Sequence, residues 1–139
     1  MGRNRFGIQF PDFEDMLTNL EKVGGDSKRV TEKALIESYN YVTPKLEADM
    51  RRHRRTGATV QSIDKTADVK WTGSIAEIKV GFRIGEGGLP SIFLMYGTPR
   101  MKPDRKLYND IYGARTKKEI AELQEKIFVE EIRRLMGGR

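Results

Sequence analysis

A chain of 139 residues with 37% hydrophobic and 33% charged residues fits one domain of ordinary size and lies outside the compositional range of disorder. It has no cysteine, which excludes a disulfide framework, a thiolate zinc site and a cysteine nucleophile, and points to an intracellular setting. Lysine and arginine number 26 against 20 acids, a net charge of +6, so nucleic acid or an acidic protein surface is an electrostatically favourable partner. The longest apolar run, Ile92 to Tyr96, is far short of the roughly 20 residues of a membrane-spanning helix. Met1 to Phe6 has charge but neither the apolar core of a signal peptide nor the Ser/Thr of a myristoylation signal. No membrane partner and no export are expected.

In chain order, Phe6, Ile8 and Phe10 alternate with polar or small neighbours up to Pro11, which predicts a docked N-terminal arm over 1–11 with one apolar face. Asp12 offers a cap for a helix whose apolar positions Phe13, Met16, Leu17 and Leu20 have helical spacing, and Gly24-Gly25 supplies its stop. Asp26 or Ser27 opens a second, longer helix with the stripe Leu35, Tyr39, Val42, Leu46 and Met50. Pro44 lies inside it and predicts a kink, because the stripe keeps its phase past the proline. This helix is expected to run out through Arg51, Arg52, His53, Arg54 and Arg55, whose cations suit the negative end of a helix dipole, into Thr56 and Gly57.

Beyond Gly57 the period changes to two. Ile63, Lys65, Ala67, Val69 and Trp71 share one face, and after Thr72-Gly73 so do Ile78, Val80, Phe82 and Ile84, the pattern of an antiparallel hairpin. Residues 85–91 read as a flexible loop, the run 92–96 as a buried strand or helical turn, and 97–106 as a basic, flexible loop with a possible cap at Asp104. Thr116 and Glu119 have capping-box spacing ahead of an amphipathic helix with the stripe Ile120, Leu123, Ile127, Ile132 and Leu135, ended by Gly137-Gly138. The expected fold is a single α+β domain over 1–139. An antiparallel sheet, a hairpin plus short strands, is packed by a long kinked helix and a C-terminal amphipathic helix.

The residues offer little chemistry. His53 is the sole histidine and has four arginine neighbours, with no second histidine for a metal set or triad. Asp12/Asp15 and Glu130/Glu131 lie at a helix start or on a charged face, where capping and solvation account for them. Gly85-Glu86-Gly87-Gly88 is neither a dinucleotide fingerprint nor a phosphate loop. The expectation is a chain that is not an enzyme and holds no cofactor or metal. The strongest charge features are Arg51, Arg52, Arg54 and Arg55, and a second group of Arg100, Lys102, Arg105 and Lys106. Folded together they could form one patch, and neutralising about four phosphates would give non-specific duplex binding with a log-log salt slope near −3.6. No aromatic residue is interleaved with the arginine run, so it gives no sign of a stacking platform for single strands.

Taken in order, several segments resemble the small tail-component, or neck, family of long-tailed bacteriophages, described as minor tail, tail-completion or head-tail joining proteins. They are a first helix leading into Gly24-Gly25-Asp26, a long second helix from Val30 to Arg55, and Thr56-Gly57 opening a segment that ends in Ser62-Ile63. A β-rich middle with Lys79-Val80-Gly81, the aromatic-Gly-Thr signature Tyr96-Gly97-Thr98, and a terminal amphipathic helix from Glu119 to Met136 follow. Family members commonly carry Ala-Pro-x-x-Thr-Gly before the β region, where this chain has His53 to Gly57. They also carry Pro-Phe-x-x-Pro-Ala after Gly-Thr, where it has Pro103 to Tyr108. The resemblance implies a non-enzymatic virion structural protein at the head-tail junction, present in the host cytoplasm during assembly. It further implies a cyclic homo-oligomer of about six or twelve subunits, docking connector or stopper and tail terminator or tube proteins, with non-specific contact to passing DNA. Arg51, Arg52, Arg54, Arg55, Thr56, Gly57, Tyr96, Gly97, Thr98, Arg100, Lys102, Arg105 and Lys106 are the expected contact residues. The alternative is a small basic protein that binds nucleic acid non-specifically through Arg51 to Arg55.

Overall fold

The structure, a computed structural model, describes residues 5–53, 61–83, 88 and 90–137. The fold is α+β, as expected. Strand β1 (Arg5–Phe6) leads to helices α1 (Phe13–Lys22) and α2 (Ser27–Met50), then to strands β2 (Val69–Thr72) and β3 (Ile75–Lys79). Helices α3 (Pro90–Tyr96), α4 (Arg105–Tyr112) and α5 (Ala114–Gly137) complete it. The sheet is antiparallel in the order β1-β3-β2. Its hairpin has the expected phase, with Val69 opposite Ile78 and Trp71 opposite Ala76, and the turn places Gly73 at φ +63°, where a side chain would be strained. Ile63 bridges to Phe82, while Ile84 lies outside the described residues.

α2 is the centre of the molecule. Every position of its stripe, Leu35, Tyr39, Val42, Leu46 and Met50, is buried in a core shared with Phe6, Ile78, Leu107 and Ile111. Val30 and Ala34, on an adjacent stripe, belong to a second cluster with Phe10, Leu20 and Phe128. There the rings of Phe10, Phe13 and Phe128 meet at centroid distances of 5.5–5.7 Å. The helix is uninterrupted through Pro44. Both Pro44 and Asn40 are exposed, so the carbonyl that loses its amide partner lies on the water-facing side. Asp26 caps α2 by accepting from the Arg29 amide (3.2 Å). α2 ends at Met50, short of the arginine run it was expected to carry.

Four expectations need correction. The run 92–96 takes the helical one of its two expected forms, but it is not buried throughout: only Leu94 and Met95 are buried within it, leaving Phe93 and Tyr96 about half exposed. Of the loop expected over 85–91, Pro90 and Ser91 belong to α3, and Ser91 donates to the Gly88 carbonyl (2.6 Å). The basic loop expected over 97–106 stops at Asp104, whose carboxylate caps α4 through the Leu107 amide (3.1 Å). α4 pays its ordering entropy by burying Leu107 and Ile111, one turn apart. The capping box at Thr116 does not form. Thr116 donates to the Asn109 carbonyl (2.6 Å), and Glu119 accepts from Tyr41 Oη and Arg115 (3.3 Å). α5 therefore starts at Ala114, one residue beyond the Gly113 corner. The docked arm is as expected: Phe6 and Phe10 are buried, and Gln124 of α5 holds the backbone between them at Gly7 and Gln9.

Candidate functional site

The turn after α3 explains how the second basic group is presented. Gly97 sits at φ +77° and donates to the Phe93 carbonyl (2.7 Å), closing the helix. Thr98 and Met101 then exchange backbone hydrogen bonds (2.8 and 3.1 Å), and Thr98 Oγ1 accepts from the Arg100 amide (3.2 Å). A Cβ on Gly97 would lie 2.8 Å from the Met101 carbonyl oxygen and 2.9 Å from Pro103. Gly97→Ala is therefore expected to destabilise the chain by about 2 kcal/mol or more, the sum of left-handed strain and this clash. Urea unfolding measures it, and a loss below about 0.5 kcal/mol would show that the turn can re-form with a side chain.

Parts of the two basic groups do converge, but aspartates hold them together. Arg52 donates to Asp104 Oδ2 (2.7 Å), which also lies 2.8 Å from His53 Nε2. Lys106 Nζ donates to Asp49 Oδ1 (2.9 Å) and Asp110 Oδ2 (2.9 Å). The last turn of α2 is thus tied to α4, and the charges of Arg52 and Lys106 are matched locally. The positive patch is smaller than the sequence suggests. Arg51, Arg100, Lys102 and Arg105 are exposed and make no ion pair among the described residues. Arg54, Arg55, Thr56 and Gly57 lie outside the described residues.

The carboxylates have divergent electrostatics. Asp49 is almost fully buried, and that burial, reinforced by its hydrogen bond with Asp110, pushes its pKa up to about 6 against the pull of Lys106. Its Oδ2 finds no hydrogen-bond partner. Burial also acts on Asp110, but hydrogen bonds from Asp49 and Lys106 outweigh it and hold that carboxyl below the usual range. At Asp104, burial is outweighed by the bonds from His53 and the Leu107 amide and by the Arg52 charge, so its pKa is lowered too. Among the described residues no cluster of carboxylates or histidine is placed to hold a metal ion, and no helix is long and apolar enough to cross a membrane.

Aromatic rings, not legible as part of the basic segment, stand beside its free cations. Tyr96 meets Tyr108 edge to face (5.6 Å between centroids), and Tyr108 leans on Tyr112 (5.1 Å). Tyr96, Pro103, Arg105 and Tyr108 line a hollow of about 360 Å³. At the other end of the molecule a more apolar groove of about 490 Å³ opens between α1, the start of α2 and the β2–β3 turn, lined by Phe13, Leu17, Glu21, Lys28, Trp71 and Ile75. Lys28 Nζ lies over the Trp71 ring at 5.2 Å, and Trp71 Nε1 donates to Glu32 (2.6 Å). Neither surface was foreseen: the half-exposed rings sit in a run whose composition reads as core, and the groove joins residues from three separate elements. Comparison with protein-family models, curated proteins and solved structures finds no match to this chain.

Proposed function

We propose that this chain is a non-enzymatic structural protein of a long-tailed bacteriophage or prophage virion. It forms a ring at the head-tail junction and docks connector and tail proteins. The reading rests on the ordered resemblance to tail-component and neck proteins. The observation that carries it furthest is the surface built around one segment of that resemblance, Tyr96-Gly97-Thr98. Phe93 and Tyr96 are 47% and 51% exposed, next to a tightly bonded turn that offers Arg100 and Lys102 without counter-ions among the described residues. Half-exposed rings with cations around them suit protein docking. The ring and virion assignments are carried by the resemblance.

Quantitative mass spectrometry of purified particles, calibrated to the major capsid and tail-tube proteins, tests the reading. About six or twelve copies per particle are expected for a closed ring. Absence from intact tailed particles overturns it. Nucleic-acid binding through Arg51 to Arg55 is less favoured, because Arg52 already binds Asp104 and Asp49. Within the ring, passing duplex DNA would meet salt-dependent contacts that carry no sequence information.

A further inference from the structure

Two apolar surfaces stay open, at opposite ends of α2. The groove takes in Ser27, Lys28 and Thr31 of its first turns, with Ile75 64% exposed at the rim. The Phe93/Tyr96 face rests on α4, which is tied to Asp49 and Arg52 at the last turn. α2 has 24 residues, so at ~1.5 Å per residue the two ends are about 36 Å apart. One molecule cannot cover its own groove with its own rings.

The two surfaces match in character. Phe93 and Tyr96 are three positions apart on α3, hence on one face, and Met101 in the turn that follows is 38% exposed. Arg105 lines the hollow beside Tyr96, and Arg100 and Lys102 follow in the turn after α3, all three exposed and without an ion pair among the described residues. Glu21 and Glu77 border the groove, and Glu14 and Asp15 are exposed in the first turn of α1. Glu77 is balanced by Arg5 across 3.6 Å, so the acids near the groove that make no ion pair among the described residues are Glu21 and, on the same helix, Glu14 and Asp15. The groove's lysine, Lys28, keeps its charge over the Trp71 ring, one cation against those three acids. A symmetric contact of the aromatic face with itself would set three cations against three, which is unfavourable.

We infer that a second copy of this chain docks its Phe93/Tyr96 face, with Arg100, Lys102 and Arg105, into the groove beside Ile75 of its neighbour. Each copy then uses both surfaces once, and the contact repeats head to tail until rotation closes it. The inference deepens the ring reading and rests on it for that closure.

The chain's lack of cysteine makes the test direct. Ile75→Cys and Pro99→Cys each add one thiol at an exposed position, the second in the turn next to the docking face without removing its rings, and unchanged circular dichroism confirms that the variants fold. The two variants, distinguished by mass, are mixed and joined with a flexible bis-maleimide. Mixed dimers should outnumber the two like dimers by about tenfold, the ratio given by a preference of about 1.4 kcal/mol. The excess should vanish when Lys102→Glu and Arg105→Glu are added to the Pro99→Cys chain. Like dimers at or above the statistical proportion, absence of bridging, or an excess indifferent to the charge reversals each overturn the contact. Particle stoichiometry fails separately. A ring-number copy count without mixed cross-links keeps the ring and removes this contact, whereas mixed cross-links in a chain absent from particles keep the contact and remove the virion assignment.

Discussion

Gln124→Ala is expected to lower the stability of the chain by about 3–4 kcal/mol, and its thermal midpoint by roughly 10 °C. Gln124 is fully buried in the middle of α5. Its Oε1 accepts from the Gln9 amide (2.7 Å), and its Nε2 donates to the Gly7 carbonyl (3.0 Å) and to Ser38 Oγ on α2 (2.9 Å). One amide group thus fastens the arm, the central helix and the last helix together. Truncation leaves a main-chain donor and acceptor without partners, at about 1–3 kcal/mol each, and opens a cavity. Ser38 loses least, since its hydroxyl still donates to the Ala34 carbonyl (2.8 Å). Because Gly7 and Ile8 line the groove beside Ile75, the variant should also weaken whatever docks there. Urea unfolding reads the stability. A loss below about 1 kcal/mol would mean that the arm is held by its pairing with β3 and not by this residue.

The second large effect is a pH dependence centred on Asp49. Its folded pKa of about 6 stands above the unfolded value of ~3.9. Between these limits the folded chain holds a proton that the unfolded chain has released. This contribution is fully present below about pH 4 and is lost as pH rises through about 6. Asp104 and Asp110, both lowered, act the other way, and their stabilisation is lost only as pH falls below the usual carboxylate range. Raising the pH from 5 to 7.5 is therefore expected to weaken the chain through Asp49 by about 1–3 kcal/mol. Asp49→Asn has no proton to lose there. Its amide can donate to Asp110 while its oxygen accepts from Lys106, so the variant should match or exceed the original at pH 7.5 and lose this component of the slope. Denaturation of both chains across that range reads the difference. Equal slopes would show that the buried carboxyl is relieved by solvent or by Arg52 rather than by a proton.

Local signals were legible where a few neighbouring residues settle the outcome. Asp26 and Asp104 cap the helices they precede, Gly73 turns the hairpin, and the spacing of Leu35, Tyr39, Val42, Leu46 and Met50 finds the buried stripe of α2. Helix α4 was hidden because only Leu107 and Ile111 are buried among charged neighbours. The Asp104 cap and that four-residue spacing were its available signals. Gln124 had a signal as well, a polar residue in phase between Ile120 and Ile127. The Thr116–Glu119 spacing misled, because Tyr41, 78 residues away in the chain, takes the carboxylate the box would use. At the candidate surfaces, the sequence located the cations but not their neutralisation.

Composition, periodicity and capping by themselves determined an α+β chain with one central helix, a hairpin and a terminal helix, because those preferences act over a few residues. Only the tertiary structure decided which cations stay unmatched, which carboxyl has its pKa raised and which rings remain open. Asp104 lies 52 residues from Arg52, and Asp49 lies 57 from Lys106. Coulomb energy and desolvation depend on distances of a few ångströms and on burial, and both are set by the packing of α4 against the end of α2.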